Sequence, residues 1–207
     1  MFGRYLLLVG GLGFAIFGWN EYQLGRGAGF AAEPIAVEEL ERGVPANPYR
    51  TLGPHRPRPK SIVYLVLEPT GQVEYAYYPV GSSDDGRIRV LVKTRRFPSV
   101  AAIRRGLKAN DFPTDGVVGT VVNRVGGVSP RELAMFRSEY PDTDPAGIVV
   151  FEEGRRPLPE AVGLTLALAG AAACLTGAVL VLPMSRPAAS GSAPADPARE
   201  GPSRADR

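Results

Sequence analysis

The sequence predicts an α+β fold in which two transmembrane helices flank a small β-rich domain, a meander or partly open barrel with two or three short helices. Three observations carry this expectation. Ala161 to Ser185 is a 25-residue stretch with no charge, long enough to cross a hydrocarbon core about 30 Å thick. A second uncharged run of 16 residues, Tyr5 to Asn20, lies near the start. Between them, β-branched and aromatic residues alternate in short segments separated by turn residues.

These boundaries divide the chain into a stub (1–4), a first membrane helix (5–22), a linker (23–32), an α+β domain (33–157), a second membrane helix (158–184) and a tail (185–207). The first run is short for a span. Tyr5 at one end and Trp19 and Tyr22 at the other suit the aromatic belt of a bilayer interface, which lets a short helix fit. The alternative is a cleaved secretory signal, since Arg4 precedes an apolar region of signal length. Small residues form a stripe on each helix: Gly11, Ala15 and Gly18 on the first; Gly163, Ala167, Gly170, Cys174 and Gly177 on the second. Such stripes let backbones approach closely in lipid, so the helices are expected to pack on each other or in a self-associated dimer. With two spans both termini share one side of a plasma or inner membrane. A short amino-terminal anchor favours export of the segment after it, so the termini are expected in the cytoplasm and the domain outside.

Within the domain, "PIAVEELERG" predicts a short helix started by Pro34 and stopped by Gly43. The five prolines of "VPANPYRTLGPHRPRPK" (Val44–Lys60) favour extended backbone. "SIVYLVLE" and "QVEYAYYPV" read as strands joined by the turn Pro69-Thr70-Gly71. The stretch 82–86 is a further turn. "RIRVLVKT" alternates, placing Ile88, Val90 and Val92 on one face of a half-buried strand; these three strands make an antiparallel meander. Ser99 caps a helix over 99–110. "GVVGTVVNRV" is a strand whose Gly119 marks a bulge or close packing. "SPRELAMFRSEY" is a helix with Ser129 as N-cap, Pro130 as first helical residue and Glu132 as reciprocal acceptor. Leu133, Phe136 and Tyr140 make its docking stripe. "AGIVVFEEG" is the last strand. The Pro, Ala, Ser and Gly of the tail predict disorder.

Composition narrows the function. Twenty-four Lys and Arg face 21 Asp and Glu, a formal net charge of +3, too mild for a nucleic-acid binder, whose basic residues concentrate on one face. No cofactor and no metal are expected. The single cysteine, Cys174, sits in the apolar run, and His55 is the single histidine, too few soft ligands for a zinc site. His55 reads as a solvated loop residue. Asp84 and Asp85 lack the alternation of a calcium loop. Asp111 with Asp115, and Asp142 with Asp144, read as loop caps rather than acid–base pairs. "VGGVSP" precedes a helix start but has no P-loop lysine. No residue is assigned a catalytic role. Basic clusters at Arg50/Arg56/Arg58/Lys60, Lys93/Arg95/Arg96 and Arg104/Arg105/Lys108 either face anionic headgroups or form ordinary surface.

The order of a short anchor, "PIAVEELERGVPANPYRTL", a strand ending in "YYPV", a "GVVGTVV" strand, a helix and "GRRPLPE" before the last span resembles bacterial two-helix membrane proteins of unknown function with a β-rich loop domain. It is also similar to the membrane-flanked domain of a mitochondrial ubiquitin ligase, without the RING and its ligands, so the resemblance does not imply ligase activity. The expected function is a membrane-anchored interaction or assembly module, not an enzyme. Its domain would bind protein or lipid through exposed strand edges and "HRPRPK". Two other classes remain: a membrane-tethered hydrolase using loop carboxylates, recognisable by a pocket gathering Asp84, Asp111, Asp115 or His55, and an accessory subunit of a membrane complex.

Overall fold

The computed structural model describes residues 2–82, 87–123, 128–141 and 143–181. Asp84, Asp85, the glycines of "VGGVSP", Asp142 and the tail 185–207 lie outside the described residues.

The architecture is α+β, with five helices and one sheet curled into a half-barrel. Helix α1 (Phe2–Gly25) leads to β1 (Glu33–Ile35), α2 (Val37–Arg42), β2 (Tyr49–Leu52) and β3 (Arg56–Pro57). Then come β4 (Val63–Leu67), β5 (Gln72–Gly81), β6 (Val90–Thr94), α3 (Val100–Ala109) and β7 (Val117–Val121). Helix α4 (Pro130–Glu139), β8 (Val149–Glu153) and α5 (Glu160–Val181) complete the described chain. The spatial order is β1-β2-β7-β8-β6-β5-β3, and β4 also pairs with β5. β4, β5 and β6 run antiparallel in turn, while β1–β2 and β6–β8 are parallel.

Among the described residues one helix, α5, is long and apolar enough to cross a membrane, by length and composition. The expected pair of membrane-spanning helices flanking the domain is therefore corrected to one. The reason lies in charge placement. Arg4 and Glu21 confine the uncharged run of α1 to 16 residues, about 24 Å of helix against a core of about 30 Å.

α1 instead lies antiparallel along α5, and the small residues form the seam. A Cβ on Gly163 would sit 2.5 Å from the Tyr22 nitrogen, one on Gly177 2.6 Å from the Leu8 nitrogen, and one on Gly11 2.8 Å from the Gly170 oxygen. Gly18 meets the Ala167 backbone and Gly170 that of Ala15 in the same manner. The helices are thus in backbone contact, which only small side chains permit. The outer flanks carry Leu6, Val9, Phe14, Phe17, Leu168, Leu175 and Val179, all exposed.

The sheet is covered on both faces. One core gathers Val37 and Leu40 of α2, Ile103 of α3, and Tyr78, Val90, Val92, Val121 and Phe151 from the strands. The other gathers Phe136 of α4, Tyr77, Leu91 and Val150, together with Leu24 from the end of α1. β6 is consequently buried on both sides, not half-buried as its alternation suggests. Both predicted caps are present. The Ser99 hydroxyl accepts from the Ala102 N–H, and Ser129 and Glu132 form a reciprocal capping box. Pro34 does not start a helix; it lies in β1, and α2 begins three residues later.

Candidate functional site

The sheet reaches β4 and stops. Strand β4 pairs with β5 on one side, and no other strand pairs with it among the described residues. In an antiparallel ladder alternate residues aim their N–H and C=O away from the neighbour, so β4 presents an open row of backbone donors and acceptors. The row does not face open water on all sides. Helix α4 crosses alongside and leaves a groove of about 530 Å³ lined by Val63 to Glu68 of the strand and by Arg131, Glu132 and Met135 of the helix. Leu67 and Met135 are exposed on its two walls.

Local sequence explains why α4 stays in place. Its capping box fixes where the helix begins. Phe136 is buried edge-on against Tyr77, with ring centroids 6.3 Å apart. At the far end the Tyr140 hydroxyl meets Ser61 Oγ at 2.5 Å, tying the helix to the turn that precedes β4. Anchored in the middle by Phe136 and at its far end by Tyr140, α4 holds the groove at a set width.

A polar cluster adjoins it. Lys93 Nζ lies 4.4 Å from the centre of the Tyr75 ring, a favourable cation–π placement. The Tyr75 hydroxyl is pushed up to about 12, chiefly by burial and then by the Glu132 carboxylate beside it. Tyr77 is pushed further in the same direction, again mainly by burial. Both hydroxyls stay protonated at neutral pH and can only donate or accept hydrogen bonds. The groove therefore offers apolar walls, a backbone edge and a few polar groups, among them the charged Glu68, Arg131 and Glu132.

No family model, no curated protein and no solved structure matches the chain.

Among the described residues, those named from sequence as candidates for chemistry do not converge. Asp111 lines a shallow depression of about 310 Å³ with Arg96 and Arg105 beside α3. Asp115 caps its own loop, its Oδ1 accepting from the Gly116 N–H at 2.7 Å, and Asp144 accepts from Ala146 N–H at 3.0 Å. His55 is the correction: it is not solvated but buried, 6% exposed. Its Nδ1 lies 2.8 Å from the Gly53 oxygen, and its backbone N–H donates to Thr114. Among the described residues no group of three His, Cys, Asp or Glu is placed to hold a metal ion.

Sequence reasoning missed the ion-pair junction between helices and sheet. Arg155 Nη2 donates to Glu21 Oε1 at 2.5 Å and Arg155 Nη1 to Glu152 Oε2 at 2.9 Å. Glu21 Oε2 also accepts from the Leu158 N–H at 3.2 Å. Burial works against the Arg155 charge, but its hydrogen bonds and attraction to Glu152 and Glu21 outweigh it and raise its pKa. A signal was present: Glu21 is a lone carboxylate on a helix that is otherwise apolar up to that point, and such a charge needs a partner.

Proposed function

We propose that the chain is a membrane-anchored interaction module, not an enzyme, in which the open edge of β4 and its groove receive an extended segment of a protein partner. The single observation that carries this reading is an unpaired strand bordered by a helix held at fixed distance. That is the geometry of strand addition, in which main-chain hydrogen bonds supply affinity and flanking side-chain sites supply selectivity. Edge strands are usually protected by proline, charge or a covering element. The opposite edge follows that pattern with Glu33 and Pro34 in β1. β4 is built of Val63, Tyr64, Leu65, Val66 and Leu67 instead.

In this reading α5 is the anchor in a plasma or inner membrane, and α1 is its packed companion. Because α1 runs antiparallel to α5, its first residues lie at the same end of the pair as Val181. The Val181 end of α5 is assigned to the cytoplasmic side and the sheet domain, at its Glu160 end, to the other side. The domain is then held near the bilayer, where its partner is another membrane-associated protein.

The test is site-specific photocrosslinking in native membranes, with the reactive residue at Leu67 or Met135 in the groove, or at Arg104 on α3 across the sheet. A discrete adduct is expected from the groove positions, none from Arg104, and loss of the Leu67 adduct in a Met135→Glu background. Equal labelling at all three positions would overturn the assignment.

A further inference from the structure

The stretch between the end of α1 and β1 is glycine-rich and unusually placed. Gly27 turns the chain with φ of 76°, a conformation that side chains beyond glycine disfavour. The turn leads to Phe30, which is 95% exposed, the most exposed of the large apolar side chains among the described residues. A single exposed apolar residue is ordinary on a soluble protein. Three neighbouring features make this one different. The loop borders a cavity of about 550 Å³ whose other wall is the approach to α5, Arg156 to Glu160. It is therefore level with the first turn of the apolar helix. Trp19 and Tyr22 stack at 5.3 Å on α1 at the same end of the helix pair, a pairing suited to a headgroup layer. Finally, the exposed Arg156 donates from Nη2 to the Phe30 oxygen at 3.2 Å, so a guanidinium and a projecting phenyl ring are held together. Arg26 adds a second cation at this level, 5.8 Å from the centre of the Tyr22 ring; of the nearby carboxylates, Glu33 beside Gly29 is paired with Arg50 and Glu21 with Arg155, while Glu160 lines the cavity.

We propose that this junction is a phospholipid site: Phe30 enters the interfacial layer of the bilayer, and Arg156 meets the phosphate of an anionic headgroup seated in the cavity. The inference rests on α5 lying in a membrane and adds a contact that the domain makes there. The chemistry names the occupant, because an aromatic ring beside a guanidinium, continuous with an apolar helix, matches a surface that is greasy below and negatively charged above. It also gives the domain a second point of attachment, which sets its orientation over the membrane.

Trp19 is the sole tryptophan, which makes the test direct. The full chain is reconstituted into vesicles of phosphatidylcholine with a minority of phosphatidylglycerol, one or the other lipid carrying bromine as a quencher. A Trp19→Phe, Phe30→Trp variant reports on the loop, and the unaltered chain reports on α1. The indole introduced by Phe30→Trp is expected to be quenched by brominated lipid, more strongly per mole when phosphatidylglycerol carries the bromine. Arg156→Gln in that background is expected to lower the preference about fivefold. Quenching of Trp19 without quenching at position 30 would overturn the site and leave the anchor standing. No quenching at either position would overturn both. Equal quenching by the two lipids, unchanged by Arg156→Gln, would overturn the headgroup assignment.

Discussion

Arg155 shows how much a single residue can be asked to hold. It bridges a carboxylate on α1 to one at the end of β8, and its backbone oxygen accepts from Thr120 Oγ1 at 2.7 Å. The two carboxylates are mostly buried, at 5% exposure for Glu21 and 8% for Glu152. Removing the guanidinium leaves Glu21 without a counter-charge and Glu152 with only the exposed Arg95 at 4.0 Å, so Arg155→Leu is expected to destabilise by about 3 kcal/mol. Glu21→Leu is expected to lose less, because Arg155 keeps Glu152. Thermal unfolding in micelles of the two single variants and the double variant checks this, and a zero coupling energy would contradict it. The tyrosines give a pH signature. Tyr75 is raised from 10.0 to about 12, with Tyr77 and Tyr78 raised further, mainly by burial. An acid whose folded pKa is raised binds its proton more tightly when folded. Its contribution is complete below pH 10 and is lost as pH rises from about 10 through about 12. Tyrosinate absorbance is expected to show these hydroxyls ionising late and together with unfolding; all eight tyrosines titrating near 10 would contradict the burial.

At the scale of elements, the glycines separate into two kinds. Gly18 and Gly170 abut the opposing backbone, while Gly10 and Gly13 have open space where a Cβ would go. Gly18→Leu is expected to force the helices apart and lower the melting temperature. Gly13→Ala is expected to be neutral or stabilising by up to about 1 kcal/mol through helix propensity. Equal effects of the two would mean that the seam is not where the structure puts it. The helices of the domain were legible in sequence because their signals are local: Ser99, Ser129, Pro130 and Glu132 act within one turn. The β4–β5–β6 meander was legible for the same reason, since the turn over 68–71 joins β4 to β5 and β6 follows β5 closely in sequence. β1, β2 and β3 were not. Glu33 pairs with Arg50 and Tyr49 with Thr120, and the Pro-rich stretch 44–60 hides strands whose partners lie far along the chain. The depth of β6 was hidden too, because alternation shows which residues share a face and not what covers it; α4, which covers the Leu91 face, arrives about forty residues later. The groove was foreseen only as an exposed strand edge, since its width depends on Tyr140 reaching Ser61, a contact 79 residues apart. The first membrane span was overread because the aromatic residues at its ends were taken to let a run of 16 uncharged residues fit.

For the whole molecule, one helix among the described residues is long and apolar enough to cross a membrane, and a tightly tied junction fixes the domain against it. Leu24 of α1 is fully buried in the core shared with α4, and Glu21 sits in the ion pair with Arg155, so the helix pair and the sheet form one connected body. Movement of the helices relative to the domain would have to break that burial and the Arg155 bridge together. Under the proposed function, that tie sets the height and angle at which the open edge of β4 stands relative to α5. In the proposed reading α5, with α1 packed along it, holds the sheet domain at a membrane. Alkaline carbonate extraction of membranes carrying the full chain, followed by high-speed sedimentation, tests it most directly. Retention of the protein in the pellet, with release only by detergent, is the expected result; recovery in the alkaline supernatant would contradict it.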